Sequence, residues 1–170
     1  RMDMGMYYFY HPLDLSTWHV STTGSGNNVG TAEYPLPAIQ TGIGRAGIGD
    51  TVLVAAGTYT ENINYNGKNI SVIGEDRETT IIDGDDNGQR VVYILNGGGA
   101  LSGFTIQNGH AQGGYPNGRG GGIRIYSASP TLTNLKMINN TASDGGGAIY
   151  TLYCNSLMSD IIIDGNSASG

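Results

Sequence analysis

The second half of the chain repeats one pattern of apolar and polar residues three times, in segments 101–108, 132–139 and 158–165. In each copy, apolar residues occupy the first, fourth and sixth positions, and the last two alternate as in a β-strand. The pattern predicts two stacked rows of apolar side chains, Phe104–Leu135–Ile161 and Ile106–Met137–Ile163.

Two copies are preceded by triple glycines, at 120–122 and 145–147. A spacing of about 25 residues is typical of repeat proteins, in which each unit buries its apolar face against a neighbour. The units are rich in Gly, Ser, Thr and Asn rather than helix-forming residues. We therefore predict an all-β fold, a right-handed parallel β-helix.

The sequence pattern of residues 50–96 predicts coils of the same kind that are less regular. Apolar strand patterns at 51–54, 63–65, 70–73, 81–82 and 91–95 alternate with the turn dipeptides Asn66-Gly67, Asp83-Gly84 and Asn96-Gly97. Residues 50–170, predicted as the β-helix domain, leave room for about five coils of roughly 22–25 residues.

Residues 13–49 are predicted to form an N-terminal cap. A short strand is expected at 18–20, and helical spacing follows Pro35 and Pro37 at Ala38, Ile39, Ile43 and Ala46. Gly42 and Gly44 weaken this helix by about 1 kcal/mol each relative to Ala. Tertiary packing over the apolar end of the first coil must therefore hold it.

Residues 1–12 form a separate N-terminal extension. One face of the predicted strand carries Met2, Met4, Met6, Tyr8 and Tyr10, and the opposite face is also apolar. A strand that is apolar on both faces needs cover on both sides, and Pro12 ends it. It either folds back onto its own domain or docks elsewhere as a donor strand.

Composition excludes several classes of protein. The 29 glycines among 170 residues show no three-residue period, which excludes collagen. The net charge of −6 argues against a nucleic acid or an anionic membrane as partner, and no apolar run reaches the roughly 18 residues of a membrane helix. The single cysteine, Cys154, is expected to be a small buried residue, with an intermolecular bridge as the alternative.

Residues 109–119 interrupt the repeat, and such insertions are often the binding face of a solenoid. His110, Tyr115 and Arg119 are the candidates for contact with a glycan or a partner. A solvated loop without a ligand is the simpler explanation of the insertion.

One candidate metal site remains. Asp83, Asp85 and Asn87 match the first half of a calcium loop, but Ile94 stands where the bidentate Glu is expected. An ordinary turn is the alternative, and no other cofactor is expected.

No catalytic constellation is apparent. Lys136 and Arg124 lie in the regular repeats without an evident carboxylate in the same stack, and His110 has no aspartate cluster beside it. Asn69 and Asn139 match glycosylation acceptors. Asn140 and Asn166 align in consecutive units, which predicts a stacked asparagine ladder with a structural role.

The chain resembles right-handed parallel β-helix proteins of the pectin-lyase-like superfamily in segments 50–63, 69–75, 80–84 and 101–109 and in the Gly-Gly-Gly-Ile units. More narrowly, residues 18–170 resemble secreted bacterial surface proteins with such repeats. The resemblance implies an extracellular or cell-surface location. It implies little about activity, because the superfamily includes lyases, hydrolases, adhesins and inert fibres.

In such relatives the cap corresponds to residues 18–47, so the extension precedes it, and segment 3–8 resembles the strand that closes the far end of the helix. The pattern at 166–170 has no polar cap and leaves a sheet edge open. We therefore expect a non-enzymatic fibre or surface subunit that polymerises head to tail through residues 1–12. The alternatives are a module from a longer surface protein, with residues 1–12 ending the preceding module, or a carbohydrate-binding or lyase-like module acting on extracellular polysaccharide.

Overall fold

A computed structural model describes residues 16–169, which form a right-handed parallel β-helix with a helical cap. The elements in chain order are β1 Thr17–Val20, α1 Ile39–Arg45, β2 Thr51–Val54, β3 Gly57–Thr60, β4 Ile63–Asn64, β5 Asn69–Gly74, β6 Thr80–Asp83, β7 Val92–Leu95, β8 Gly98–Gln107, β9 His110–Ala111, β10 Ile123–Tyr126, β11 Thr131–Ile138, β12 Thr141–Ala142, β13 Ile149–Leu152, β14 Leu157–Asp164 and β15 Ser167–Ala168.

The strands form three parallel sheets along the axis of the solenoid. Sheet A runs β1-β2-β5-β8-β11-β14, with β3 and β6 extending it, sheet B runs β4-β7-β10-β13, and sheet C runs β9-β12-β15. The strands β2, β5, β8, β11 and β14 begin successive coils, so the described chain makes four complete turns and starts a fifth. The predicted fold class is confirmed.

The register of sheet A confirms the two rows predicted from the repeat. Phe104, Leu135 and Ile161 are direct partners, as are Ile106, Met137 and Ile163. A third row contains Val52, Val72, Leu101, Leu132 and Met158, so successive coils take 20, 29, 31 and 26 residues. The coils are less uniform than the predicted 22–25 residues because loops of different length are inserted between the same strands.

One of these insertions, residues 75–79, separates β5 from β6 and lies along the outer face of sheet A. From it, Arg77 pairs with Asp160 at 2.9 Å, and Glu78 pairs with Lys136 at 2.8 Å. Lys136 therefore has a carboxylate nearby from outside the stack, whereas its direct partners within the stack, Thr105 and Ile162, carry none, as expected. Sequence reasoning missed the pair because its members are 58 residues apart.

The asparagine ladder predicted at the corner between sheets A and C is present. Asn140 is fully buried, accepts a hydrogen bond from the Gly109 amide at 2.9 Å, and donates to the carbonyl of Ile106 at 2.9 Å. Its side chain also donates to Asn166 Oδ1 at 2.9 Å, and Asn166 donates to the Met137 carbonyl at 2.8 Å. The ladder satisfies backbone groups that the corner would otherwise bury unpaired.

The cap covers the first coil as expected. Ile39 and Ile43 of α1 are fully buried. The carboxylate of Glu61 accepts hydrogen bonds from the amides of Ile39 and Gln40 at the start of α1. At the other end, Lys68 Nζ donates to carbonyls at 43, 44 and 46. Both caps come from the first coil, so helix and coil stabilise each other.

Candidate functional site

The outer face of sheet B carries aromatic and basic residues in one row along the solenoid axis. Tyr93, Arg124 and Tyr150 are direct partners in successive coils. Their strand neighbours Ile123 and Ile125 point inward and are fully buried, as expected from alternation along a strand. Arg124 is also buried, at 4% exposure, because residues 112–118 lie over it.

The insertion is held against sheet B by two guanidinium groups. Arg124 Nη1 donates to the carbonyl of Pro116 at 2.7 Å, and Arg90 Nη2 donates to the carbonyl of Asn117 at 2.7 Å. Ser143 Oγ adds a 2.7 Å bond to the Gly113 carbonyl. The loop therefore has a fixed position over the sheet.

Tyrosine rings pack against these guanidinium groups. Arg119 lies 4.8 Å from the ring centroid of Tyr115 and 4.9 Å from that of Tyr150. Arg90 and Arg124 lie 5.1 and 5.5 Å from the centroid of Tyr93. All four distances are within the range of cation–π attraction. We call this surface the tyrosine–arginine face, and its members are Arg90, Tyr93, Tyr115, Arg119, Arg124, Tyr126 and Tyr150.

A cleft of about 240 Å³ opens on the tyrosine–arginine face. Its lining consists of Tyr93, Leu95, Tyr115, Pro116, Arg124 and Tyr126. Aromatic rings thus form the walls, and one guanidinium supplies the charge. This combination is suited to a ligand with both apolar and anionic parts.

Positive charge on the tyrosine–arginine face is only partly neutralised. Among the ion pairs of residues 16–169, only Asp144 pairs with one of its arginines, Arg119, at 2.8 Å. The hydrogen bond to Asp144 raises the pKa of Arg119. Burial, and then repulsion by Arg124, lowers the pKa of Arg90. Arg124 Nε is buried and has no hydrogen-bond partner within the described chain.

The structure brings two of the three predicted contact residues together. Tyr115 and Arg119 are in direct contact on the tyrosine–arginine face. His110 lies instead on β9, paired with Thr141, and its Nε2 is 3.2 Å from Gln112 Nε2. The insertion is therefore narrower than the predicted 109–119, because His110 and Ala111 continue the regular coil.

Side chains of the predicted calcium loop are bonded to neighbouring coils as well as within the loop. Asp83 accepts hydrogen bonds from Gln107 Nε2 at 2.6 Å, from Asn108 Nδ2 at 3.0 Å, and from the Asp85 amide at 2.9 Å. Asn87 donates to Asn62. Over residues 16–169, no three His, Cys, Asp or Glu side chains gather as a metal site would require. Calcium binding at Asp83, Asp85 and Asn87 stays a prediction.

The last described coil exposes side chains that earlier coils bury. Met158 is 40% exposed, whereas its row partners Leu101 and Leu132 are fully buried. Ile163 is 58% exposed, whereas Ile106 and Met137 are fully buried. We call β14 and β15 the open coil, because within residues 16–169 no further strand pairs with β14 on this side.

The remaining candidates are placed as follows. Met2, Met4, Met6, Tyr8 and Tyr10, proposed for self-assembly, lie outside the described residues. The glycosylation candidates Asn69 and Asn139 are both exposed. Cys154 is half-buried, packs against the core, and lies 3.0 Å from the carbonyl of Leu152.

A larger groove, of about 650 Å³, lies between the cap and the first coils. Apolar residues such as Leu53 and Ile73 form much of its lining, with Glu33 and Glu75 beside them. Both carboxylates are exposed to water. The groove therefore presents fewer charged and aromatic side chains to a ligand than the tyrosine–arginine face does.

Within the described residues, α1 is too short to span a membrane. Comparison of the chain with known family models, curated proteins and solved structures finds no match. The classification of the chain as a parallel β-helix therefore rests on its own structure.

Proposed function

We propose that this chain is a non-catalytic structural subunit of the extracellular space or cell surface that associates head to tail. In this proposal, residues 1–12 of one copy dock on the open coil of the next. The observation that carries it is the exposure of Met158 and Ile163, which occupy rows that are buried in every preceding coil.

The chemistry of the two partners is complementary. Within residues 16–169, the open coil has a strand edge with which no described strand pairs and an apolar cross-section, and the sequence of the extension is apolar on both faces at period two. An added strand would bond to the edge through its main chain and cover the exposed rows with its side chains. Repeated head-to-tail contacts that do not close a ring produce a filament.

We also infer kinship with pectin-lyase-like β-helices of secreted bacterial surface proteins. The right-handed coils, the parallel sheets and the asparagine ladder support this inference. A non-catalytic role is supported by the pairing of the acids near the repeats, since Asp144 and Asp160 each pair with an arginine.

Electron microscopy by negative staining tests the assembly. The full chain should form uniform filaments, and a chain lacking residues 1–12 should remain as single particles. Ile163→Asp should also abolish filaments, because the carboxylate would be buried at the junction without a partner. The matched control is Tyr115→Asp, since Tyr115 is also exposed, at 61%, but lies on the insertion over sheet B, beside the interior strand β10.

Single particles from the full chain over a wide concentration range would overturn the assembly proposal. Filaments that persist without residues 1–12 would show that another surface makes the junction. Loss of filaments in both Tyr115→Asp and Ile163→Asp would point to a general effect of added charge.

The tyrosine–arginine face favours a second candidate function, binding of extracellular polysaccharide. Tyr115 is 61% exposed and is stacked on Arg119, so its ring is presented to a ligand. Apolar faces of sugar rings pack on such aromatic surfaces. Tyr115→Ala should weaken glycan binding and leave head-to-tail assembly unchanged, which separates the two functions.

A further inference from the structure

One outward row of side chains on sheet A changes character along the solenoid axis. From the first strand to the last, the row consists of His19, Leu53, Ile73, Ser102, Thr133 and Ser159. The last three members carry hydroxyl groups, as expected of positions that face water, whereas Leu53 and Ile73 are aliphatic. The outside of the solenoid is therefore apolar at β2 and β5 and polar beyond them.

The sequences of β2 and β5 are typical of strands that are covered on both faces. Val52, Val54 and Val72 point inward and are buried. Leu53 and Ile73 continue the apolar run in each strand, and such runs are typical of strands buried on both sides. Both outward side chains are nevertheless only half-buried within residues 16–169. A further segment that packs on them would complete the cover.

Leu53 and Ile73 lie in the groove of about 650 Å³ between the cap and the first coils, which we call the cap groove. One wall is the loop at 21–38, between β1 and α1. This loop also bonds to the outer edge of β1, where the amide and the carbonyl of His19 each form a 2.8 Å hydrogen bond with it. An occupant of the cap groove would therefore be held by its side chains rather than by strand pairing.

The rim of the cap groove is acidic. Glu33 lies on the loop at 21–38, Glu75 directly follows β5, and both are exposed. Neither carboxylate takes part in an ion pair among residues 16–169. Apolar side chains accompanied by a basic group would be complementary to this surface.

The sequence of the N-terminal extension has this chemistry. Residues 1–12 are rich in Met and Tyr, and their basic residues are Arg1 and His11, against one acid, Asp3. The rest of the chain carries most of its acidic residues, since its net charge is −6. The extension is therefore the segment of this chain that best matches the cap groove.

The extension is also joined to the chain close to the cap groove. Ser16 is fixed beside β2, because its carbonyl accepts a 2.9 Å hydrogen bond from the Thr51 amide. His19, which lines the groove, lies about 10 Å farther along β1. Residues 12–16 span up to about 13 Å when extended. The extension can therefore reach the groove of its own copy.

We propose that residues 1–12 fold back and pack their Met and Tyr side chains in the cap groove of the same copy. This inference rests on the assembly function above and adds its regulation. A segment held in the cap groove is not free to dock on the open coil of the next copy, so the two sites compete for it. The contact is autoinhibitory and raises the concentration at which assembly begins.

Limited proteolysis with chymotrypsin tests the fold-back contact. The enzyme cleaves after aromatic residues, which occupy positions 7–10 of the extension, and it needs a segment that is free of contacts. Ile163→Asp is made in every chain of this test, so that docking on another copy does not protect the extension. Ile73→Thr should then speed cleavage at 7–10 about tenfold, because it removes apolar contact in the cap groove.

The matched control is Ile81→Thr. Ile81 is also an outward, half-buried residue of sheet A, but it lies on β6 and does not line the cap groove. Threonine suits both positions, since Thr133 and Thr105 occupy the same rows in later coils. Leu53→Thr repeats the test if Ile73→Thr does not fold. Equal cleavage with and without Ile73→Thr, or equal acceleration by Ile81→Thr, would overturn the fold-back contact.

Filament formation by chains that retain Ile163 separates this inference from the function on which it rests. Ile73→Thr should shorten the lag before filaments form, because the extension is released. Filaments that form while Ile73→Thr changes neither cleavage nor lag would overturn the fold-back contact alone. Faster cleavage in Ile73→Thr, with no filaments from either chain, would leave the contact standing and overturn assembly. Faster cleavage with an unchanged lag would overturn the inhibitory role.

Discussion

One position of the repeat holds a backbone conformation that few residues adopt without strain. Gly103, Asn134 and Asp160 occupy it in three successive coils, with φ of 79°, 51° and 52°. Gly, Asn and Asp are the residues that tolerate this left-handed region. The paired register of β8, β11 and β14 skips this position, so the three left-handed residues mark the same interruption of sheet A in successive coils.

Asp83 provides a test of side-chain bonding between coils. Burial would raise its pKa, but hydrogen bonds from Gln107, the Asp85 amide and Asn108 outweigh this and lower the pKa below its ordinary value. An acid with a lowered pKa stabilises the fold above its unfolded pKa, and this contribution is lost as pH falls through the folded value.

Asp83→Asn should therefore lower the free energy of unfolding by about 1 kcal/mol at neutral pH, because the new amide faces the donor groups of Gln107 and Asn108. The loss should shrink as pH falls below about 4. Chemical denaturation at several pH values measures it, with the exposed Asp86→Asn as control. A loss that does not depend on pH would show that the charge of Asp83 is not its cause. Thermal unfolding of the same variants with and without calcium tests the predicted calcium site.

At the scale of the element, helix α1 shows how two glycines in one helix have different roles. A Cβ on Gly42 would lie 2.7 Å from Val52 Cγ1 and 3.1 Å from Val20 Cγ2, whereas one on Gly44 would meet no atom within 4 Å. Gly42 therefore permits the close approach of the helix to the first coil. The sequence predicted that both glycines weaken the helix, but it could not show that packing against the first coil requires a glycine at position 42.

The two glycines form a matched pair for mutagenesis. Gly44→Ala should raise the free energy of unfolding by about 0.5–1 kcal/mol through helix propensity alone. Gly42→Ala should lower the free energy of unfolding by about 1 kcal/mol, because the clash of the new methyl group with the buried Val52 costs more than the gain in helix propensity. Thermal or chemical unfolding measures both, and stabilisation by Gly42→Ala would contradict the close packing of α1.

The elements also show what local sequence can and cannot predict. The rows of sheet A follow from period-two alternation and turn residues, which are local signals, so Phe104, Leu135 and Ile161 could be aligned in advance. Arg124 occupies an outward position, where strand alternation alone would leave the side chain facing water, and the loop at 112–118 buries it. Its alignment with Tyr93 and Tyr150 was the signal within the sequence, since 92–95, 123–126 and 149–152 repeat the same strand.

At the scale of the whole molecule, the two ends of the described solenoid differ in their cover. The first coil is covered by α1 and its side-chain caps, whereas the open coil exposes Met158 and Ile163. In a solenoid, each coil is stabilised by its own contacts and by its neighbours. A coil with one neighbour should therefore open more often than a coil with two.

Hydrogen exchange followed by mass spectrometry should reveal this difference and connect it to assembly. In the chain lacking residues 1–12, amides of β14 should exchange at least tenfold faster than those of β8 and β11, which have strands on both sides. In the full chain at filament-forming concentration, β14 should become protected while β8 and β11 change little, because the docked strand adds the missing neighbour.

The strand β2, covered by β1 and α1, is the internal control. Equal exchange of β14 in the two chains would place the filament junction elsewhere, and protection of β14 equal to that of β11 in the truncated chain would contradict the marginal stability of the open coil.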